Sequence, residues 1–131
     1  MEIEKIFKNL ILLDFIILLL IVISSIYEPK EFSEVYQYLD KGLLSSYEEI
    51  IGNISIDLFF LYLLTLNLLY RFISYGKPLY LFLILAGIIL NFLNGSVVYT
   101  SFGGVLDQVG GIVSGSILIL LYYSPIREYF W

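Results

Sequence analysis

The chain has 131 residues, 60% of them hydrophobic, with a mean hydropathy of +0.91 and a formal net charge of −5. A soluble domain runs nearer half apolar, and too little polar sequence remains here to clothe one. Cys and His are both absent, which excludes disulfides, thiol nucleophiles, zinc thiolate sites, imidazole bases and Ser-His-Asp catalysis, while seven scattered Lys and Arg make no nucleic-acid surface.

Four apolar stretches fill the chain as one domain, residues 1–131. A bilayer core needs about 20 apolar residues in a helix. The predicted crossings are about 9–26, 50–72, 78–98 and 105–123. The fold class is all-α: an integral membrane four-transmembrane-helix bundle. Lys5 and Lys8 precede the first crossing, in the manner of a signal peptide. The apolar run is too long for one, and Ala86 is the only Ala in the chain, so no small-residue cleavage site follows.

The first gap, about 27–49, is the long one. Phe32, Val35, Tyr36, Leu39 and Leu43 recur there at helical spacing. Glu31, Glu34, Gln37, Asp40 and Lys41 fall mostly opposite. This predicts a short amphipathic helix lying along the membrane surface or capping the bundle. Its acidity argues against anionic headgroups as its target.

Basic residues mark the orientation. Lys5, Lys8, Arg71, Lys77 and Arg127 fall on one side, five against the two of Lys30 and Lys41. The positive-inside rule places both termini in the cytoplasm of a prokaryotic-type plasma (inner) membrane. Aromatics at the helix ends fit interfacial belts, with Phe72, Tyr75, Tyr80, Tyr122, Tyr123, Tyr129, Phe130 and Trp131 on the inner side.

Polar residues inside lipid are costly and normally face other helices. At about 100° per residue, Asn53, Asp57, Asn67 and Arg71 share a sector of roughly 80° on the second crossing. Asn91 and Asn94 share a face with Gly87, Gly95 and Tyr80 on the third. Asp107, Gln108, Gly111, Ser114 and Gly115 share one on the fourth. Asp14 and Ser25 do so on the first. These four faces are expected to meet in the bundle. The expected binding residues are therefore Asp57, Asn53, Asn91, Asn94, Asp107, Asp14, Asn67 and Arg71, with Asp14 paired to Arg71 near the inner surface. Gly111 and Gly115 form a small-residue groove suited to close helix packing. Asp107 also suits a helix N-terminus, where a carboxylate favours the dipole.

Two uses of such a site follow. One is an ion or proton pathway, or a binding cleft, centred on the intramembrane Asp and Asn, with Asp57 as its centre. A single narrow chain would then need to oligomerise to conduct. The other is an accessory or scaffold subunit without chemistry of its own. The partners are the lipid bilayer and either copies of this chain or a larger membrane complex. No cofactor or metal is called for.

The architecture resembles that of lipoprotein signal peptidases, with four crossings and an aspartate pair, here Asp57 and Asp107, near the outer face. That likeness implies an aspartyl hydrolase. The stretches Asn53-Ile54-Ser55-Ile56-Asp57 and Val105-Leu106-Asp107-Gln108 do not match the signatures of that family.

The run from Gly115 to Arg127, with Tyr122-Tyr123-Ser124-Pro125 before Arg127, resembles the close of small bacterial four-helix membrane proteins that end in an aromatic-Ser-Pro step. The Lys77-Pro78-Leu79-Tyr80-Leu81 entry extends the likeness. It implies a four-helix membrane fold and carries no activity. Physically, Pro125 disfavours helix at Ser124 and stops the crossing there.

Overall fold

The first helix begins where charge favours it. Glu2 and Glu4 lie in its first turn, next to the positive end of the helix dipole. Lys8 pairs with Glu4 at 2.9 Å, one turn away. Helix α1 therefore runs Glu2–Ile26, and its start precedes the apolar stretch by seven residues. The structure, a computed structural model, describes residues 2–39, 45–95 and 97–131.

Helix α2 covers only Glu31–Tyr36. The expected amphipathic helix is thus cut to six residues. Phe32 and Leu39 are half-buried and Val35 is exposed. Asp40, Lys41 and Leu43 lie outside the described residues. A 3-10 turn at Ser45–Tyr47 leads into α3, Glu48–Tyr70.

A turn at 71–75 reverses the chain into α4, Gly76–Asn94. Pro78 sits in the first turn of α4, where its missing N–H costs nothing. Gly95 follows with φ 82°, a conformation open to Gly without strain. It ends α4 four residues short of the predicted Val98. Helix α5 is Ser101–Tyr123. It starts four residues before the predicted Val105 because Thr100 caps it, accepting from the Gly103 N–H at 3.0 Å. A 3-10 segment, Pro125–Tyr129, closes the chain.

The described residues contain no strand. Four helices, α1, α3, α4 and α5, are long and apolar enough to cross a membrane. They alternate in direction, so the start of α1, the α3–α4 turn and the C-terminus share one end, the terminal end. The opposite end, with the first connection and residues 95–100, is the hairpin end.

Packing is uneven between these ends. Helix α1 packs chiefly on α5, and α3 on α4, whereas α4 and α5 barely touch. The core sits toward the terminal end, around Phe7, Leu69, Phe72, Tyr80, Ile117 and Leu121. Phe7 stacks on Phe72 with ring centroids 5.7 Å apart, and Phe130 closes against Phe72 edge-on at 5.3 Å. The chain end is tied into this cluster: the Trp131 N–H donates to the Phe72 carbonyl, and the Trp131 carbonyl accepts from the Ser74 N–H and Oγ–H. Gly76 permits the tight α3–α4 corner, since a Cβ there would lie 2.9 Å from Leu69 Cδ2. Toward the hairpin end α1 and α5 stay together, a Cβ at Gly103 lying 3.7 Å from Ser24 Oγ, while α4 stands apart from α5.

Candidate functional site

The helices enclose a cleft of about 580 Å³. Each long helix supplies a wall. Helix α1 contributes Asp14 and Ile17, α3 Phe59 and Tyr62, α4 Gly87 and Asn91, and α5 Asp107 and Ser114. Most of the lining is Leu, Ile, Phe and Gly.

Asp14 lies on the floor of the cleft and is 4% exposed. Burial there follows from spacing. Phe7, Ile11, Asp14 and Ile17 are the buried positions of α1 and recur every three or four residues, so Asp14 stands in the stripe that faces the bundle. A carboxylate in such a place needs donors. Tyr62 on α3 donates its hydroxyl to Asp14 Oδ2 at 2.5 Å, and Tyr80 on α4 donates to the same atom at 3.0 Å. The Tyr62 and Tyr80 rings lie 5.7 Å apart. The Ser114 hydroxyl of α5 sits beside the same three groups. All four long helices thus converge on one carboxylate.

A smaller recess of about 210 Å³ adjoins the cleft at the hairpin end. It shares Ile21 and Asp107 with the cleft and adds Ser24, Ser25, Glu28 and Thr100. Polar side chains thus gather at this end, where the cleft itself is lined mostly by apolar ones. At the other end, below Asp14, the Phe7–Phe72–Phe130 cluster blocks the way. The cleft is blind toward the termini.

Several expectations need correction. Asp14 does not pair with Arg71. Its partners are Tyr62 and Tyr80, while Arg71 is exposed one step past the end of α3, its N–H donating to the Asn67 carbonyl. Asp57, Asn53 and Asn94 are exposed and line neither the cleft nor the recess. The reason is rotational. The buried positions of α3 are Thr65, Leu66 and Leu69, which centre about 130° around the helix from Asp57 and about 170° from the middle of its sector. Asn67 is also exposed and borders a separate shallow groove between α1 and α3, with Ile11, Phe15 and Tyr70. Asn91 and Asp107 do reach the cleft, both exposed to it.

Gly111 and Gly115 do not pack against another helix of the chain. A Cβ at either would meet no atom within 4 Å, so these glycines widen the cleft wall instead. Tyr80 is no interfacial anchor. It is fully buried and serves Asp14. Tyr62 escaped notice because a lone Tyr among Leu and Phe reads as apolar. The available signal was the need for donors: a carboxylate kept inside an apolar helix requires them, and Tyr62 and Tyr80 are the Tyr residues well inside α3 and α4.

Comparison with protein-family models, with characterised proteins and with solved structures finds no match for the chain.

Proposed function

We propose that this chain is a four-crossing membrane protein built around an outward-opening binding cleft, with Asp14, Tyr62 and Tyr80 as its recognition floor. The observation that carries this reading is the convergence of all four long helices on one buried carboxylate at the base of an open chamber. Intramembrane ionisable groups are costly and are usually kept for function. A chamber of this volume suits a ligand of drug-like size.

The distribution of Lys and Arg supports cytoplasmic termini, which turns the polar hairpin end outward. The aromatic plug below Asp14 favours a blind cleft over a pathway through a single chain. The exposed polar stripe of Asn53 and Asp57 supports a further subunit against α3, since no helix among the described residues shields it.

Adjacent residues on α5 test the reading. Gly111 lines the cleft, whereas Ile112 is 70% exposed on the outer flank. The chain has no native Cys, so one introduced Cys carries one spin label. In lipid vesicles, a label at Gly111→Cys is relaxed mainly by a water-soluble nickel complex, and one at Ile112→Cys mainly by oxygen dissolved in the acyl chains. Equal, lipid-like responses at both positions would overturn the cleft.

A further inference from the structure

We infer that the ligand of the cleft is a lipophilic organic cation, an inference that rests on the cleft reading and assigns it a substrate class. The charges along the cleft have one sign. Asp14 stands at the floor, Asp107 at the rim, and Glu28 in the recess beyond. Among the described residues, no Lys or Arg lines either cavity. Lys8 and Lys77 lie on the far side of the plug, and Lys30, exposed two residues beyond Glu28 at the hairpin end, lines neither cavity. Lys8 sits 5.2 Å from the Phe72 ring centre, and Lys77 sits 4.3 Å from that of Phe130 and donates to the Arg127 carbonyl. An anion inside the cleft would meet carboxylates, with no cation among the described lining residues to balance it.

A bare metal ion is a poor fit. The described residues hold no group of three acidic side chains that could grip one, and hard cations demand six or more oxygens. The walls are instead apolar, with the Phe59 and Tyr62 rings among them. Those rings suit a cation that carries its own hydrocarbon shell, through dispersion and through cation–π attraction. Such a ligand buries its body against Leu and Ile and brings its charge to Asp14. The two phenols already on Oδ2 hold the carboxylate in place for it.

Cation and proton compete for the same carboxylate. When Asp14 is protonated, one cation entering releases one proton, and the net charge of the site is conserved. The groups facing Asp14 are Tyr62 from α3, Tyr80 from α4 and Ser114 from α5. Asp107, across the cleft, is the remaining acid that shares it. Binding therefore tightens as pH rises through the range in which Asp14 titrates.

Tetraphenylphosphonium and tetraphenylborate test this directly, because they share shape and differ in sign. Binding is measured by titration calorimetry on the full chain in neutral detergent. Titrated separately, tetraphenylphosphonium is expected to bind and tetraphenylborate is not. Asp14→Asn is expected to weaken phosphonium binding about tenfold or more and to abolish its pH dependence, with partial rescue in Asp14→Glu. Asp107→Asn, which leaves the floor untouched, is expected to weaken it about two- to threefold. Equal binding of both probes, an unchanged affinity in Asp14→Asn, or no phosphonium binding at all overturns the inference. The cleft reading is judged apart, by labelling Gly111→Cys with an aqueous maleimide. A cleft that maleimide reaches but that shows no charge preference defeats the cation inference alone. A Gly111 position that no aqueous reagent reaches defeats the cleft.

Discussion

Tyr62 and Asp14 stand 48 residues apart in the chain and share a hydrogen bond of 2.5 Å across the α1–α3 contact. Tyr80 completes the arrangement from α4. This pair of phenols lets a carboxylate sit inside an apolar bundle, and the site depends on them.

Removing either donor leaves Asp14 short of a partner. Tyr62→Phe and Tyr80→Phe are each expected to lower stability by about 1–3 kcal/mol, the cost of leaving a buried acceptor unsatisfied. Thermal unfolding in detergent measures this. Combined with Asp14→Leu, which removes the acceptor, the losses are expected not to add, with a coupling of about 0.5–3 kcal/mol. Strict additivity would mean the groups do not act together.

Asp57 provides the contrast. Its carboxylate is exposed on the side of α3 away from the cleft. Asp57→Asn is expected to leave the accessibility of a Gly111→Cys label unchanged, with phosphonium affinity within about twofold of the parent. Loss of either property would return Asp57 to the centre of the site.

The four helices were legible from the length of the apolar runs, because lipid-crossing length is a simple physical requirement. Asp14 was legible too, as a carboxylate where carboxylates are costly. Its partners were not. Which face of α3 turns inward depends on how Thr65, Leu66 and Leu69 pack, and the polar sector of that helix lost to that packing. The same holds for Gly111 and Gly115. Their small size is visible in the sequence, but whether a helix fills the space they leave is decided by the α1–α5 contact, which holds α4 away. Helix ends shifted for local reasons, the Thr100 cap and the left-handed Gly95 among them.

Gly76 at the start of α4 and Gly87 in its interior are expected to respond oppositely to a methyl group. Gly76→Ala places a Cβ 2.9 Å from Leu69 Cδ2 and 3.2 Å from the Leu69 backbone nitrogen. It is expected to destabilise by about 1–3 kcal/mol through overpacking. Gly87→Ala meets open space and gains helix propensity, so it is expected to be neutral or stabilising by up to about 1 kcal/mol. Unfolding midpoints of the two variants, measured side by side, decide this.

Phe72 is buried with φ 57°, a left-handed backbone that penalises any side chain. Its ring nonetheless anchors the plug, so truncation costs more than strain relief returns. Phe72→Ala is expected to lose about 3–5 kcal/mol. Phe72→Gly is expected to be the more stable of the two by about 1 kcal/mol, because Gly adopts that backbone freely. The reverse order would mean the turn does not hold this conformation.

A cleft open at one membrane face and sealed at the other is decided by two-sided labelling of Gly111→Cys. A membrane-impermeant maleimide is applied to intact cells and to inverted vesicles, with Lys5→Cys marking the cytoplasmic side. Gly111→Cys is expected to label from the outside and not from the inside, with Lys5→Cys showing the opposite. Labelling of Gly111→Cys from the cytoplasmic face, or from neither face, would contradict such a cleft.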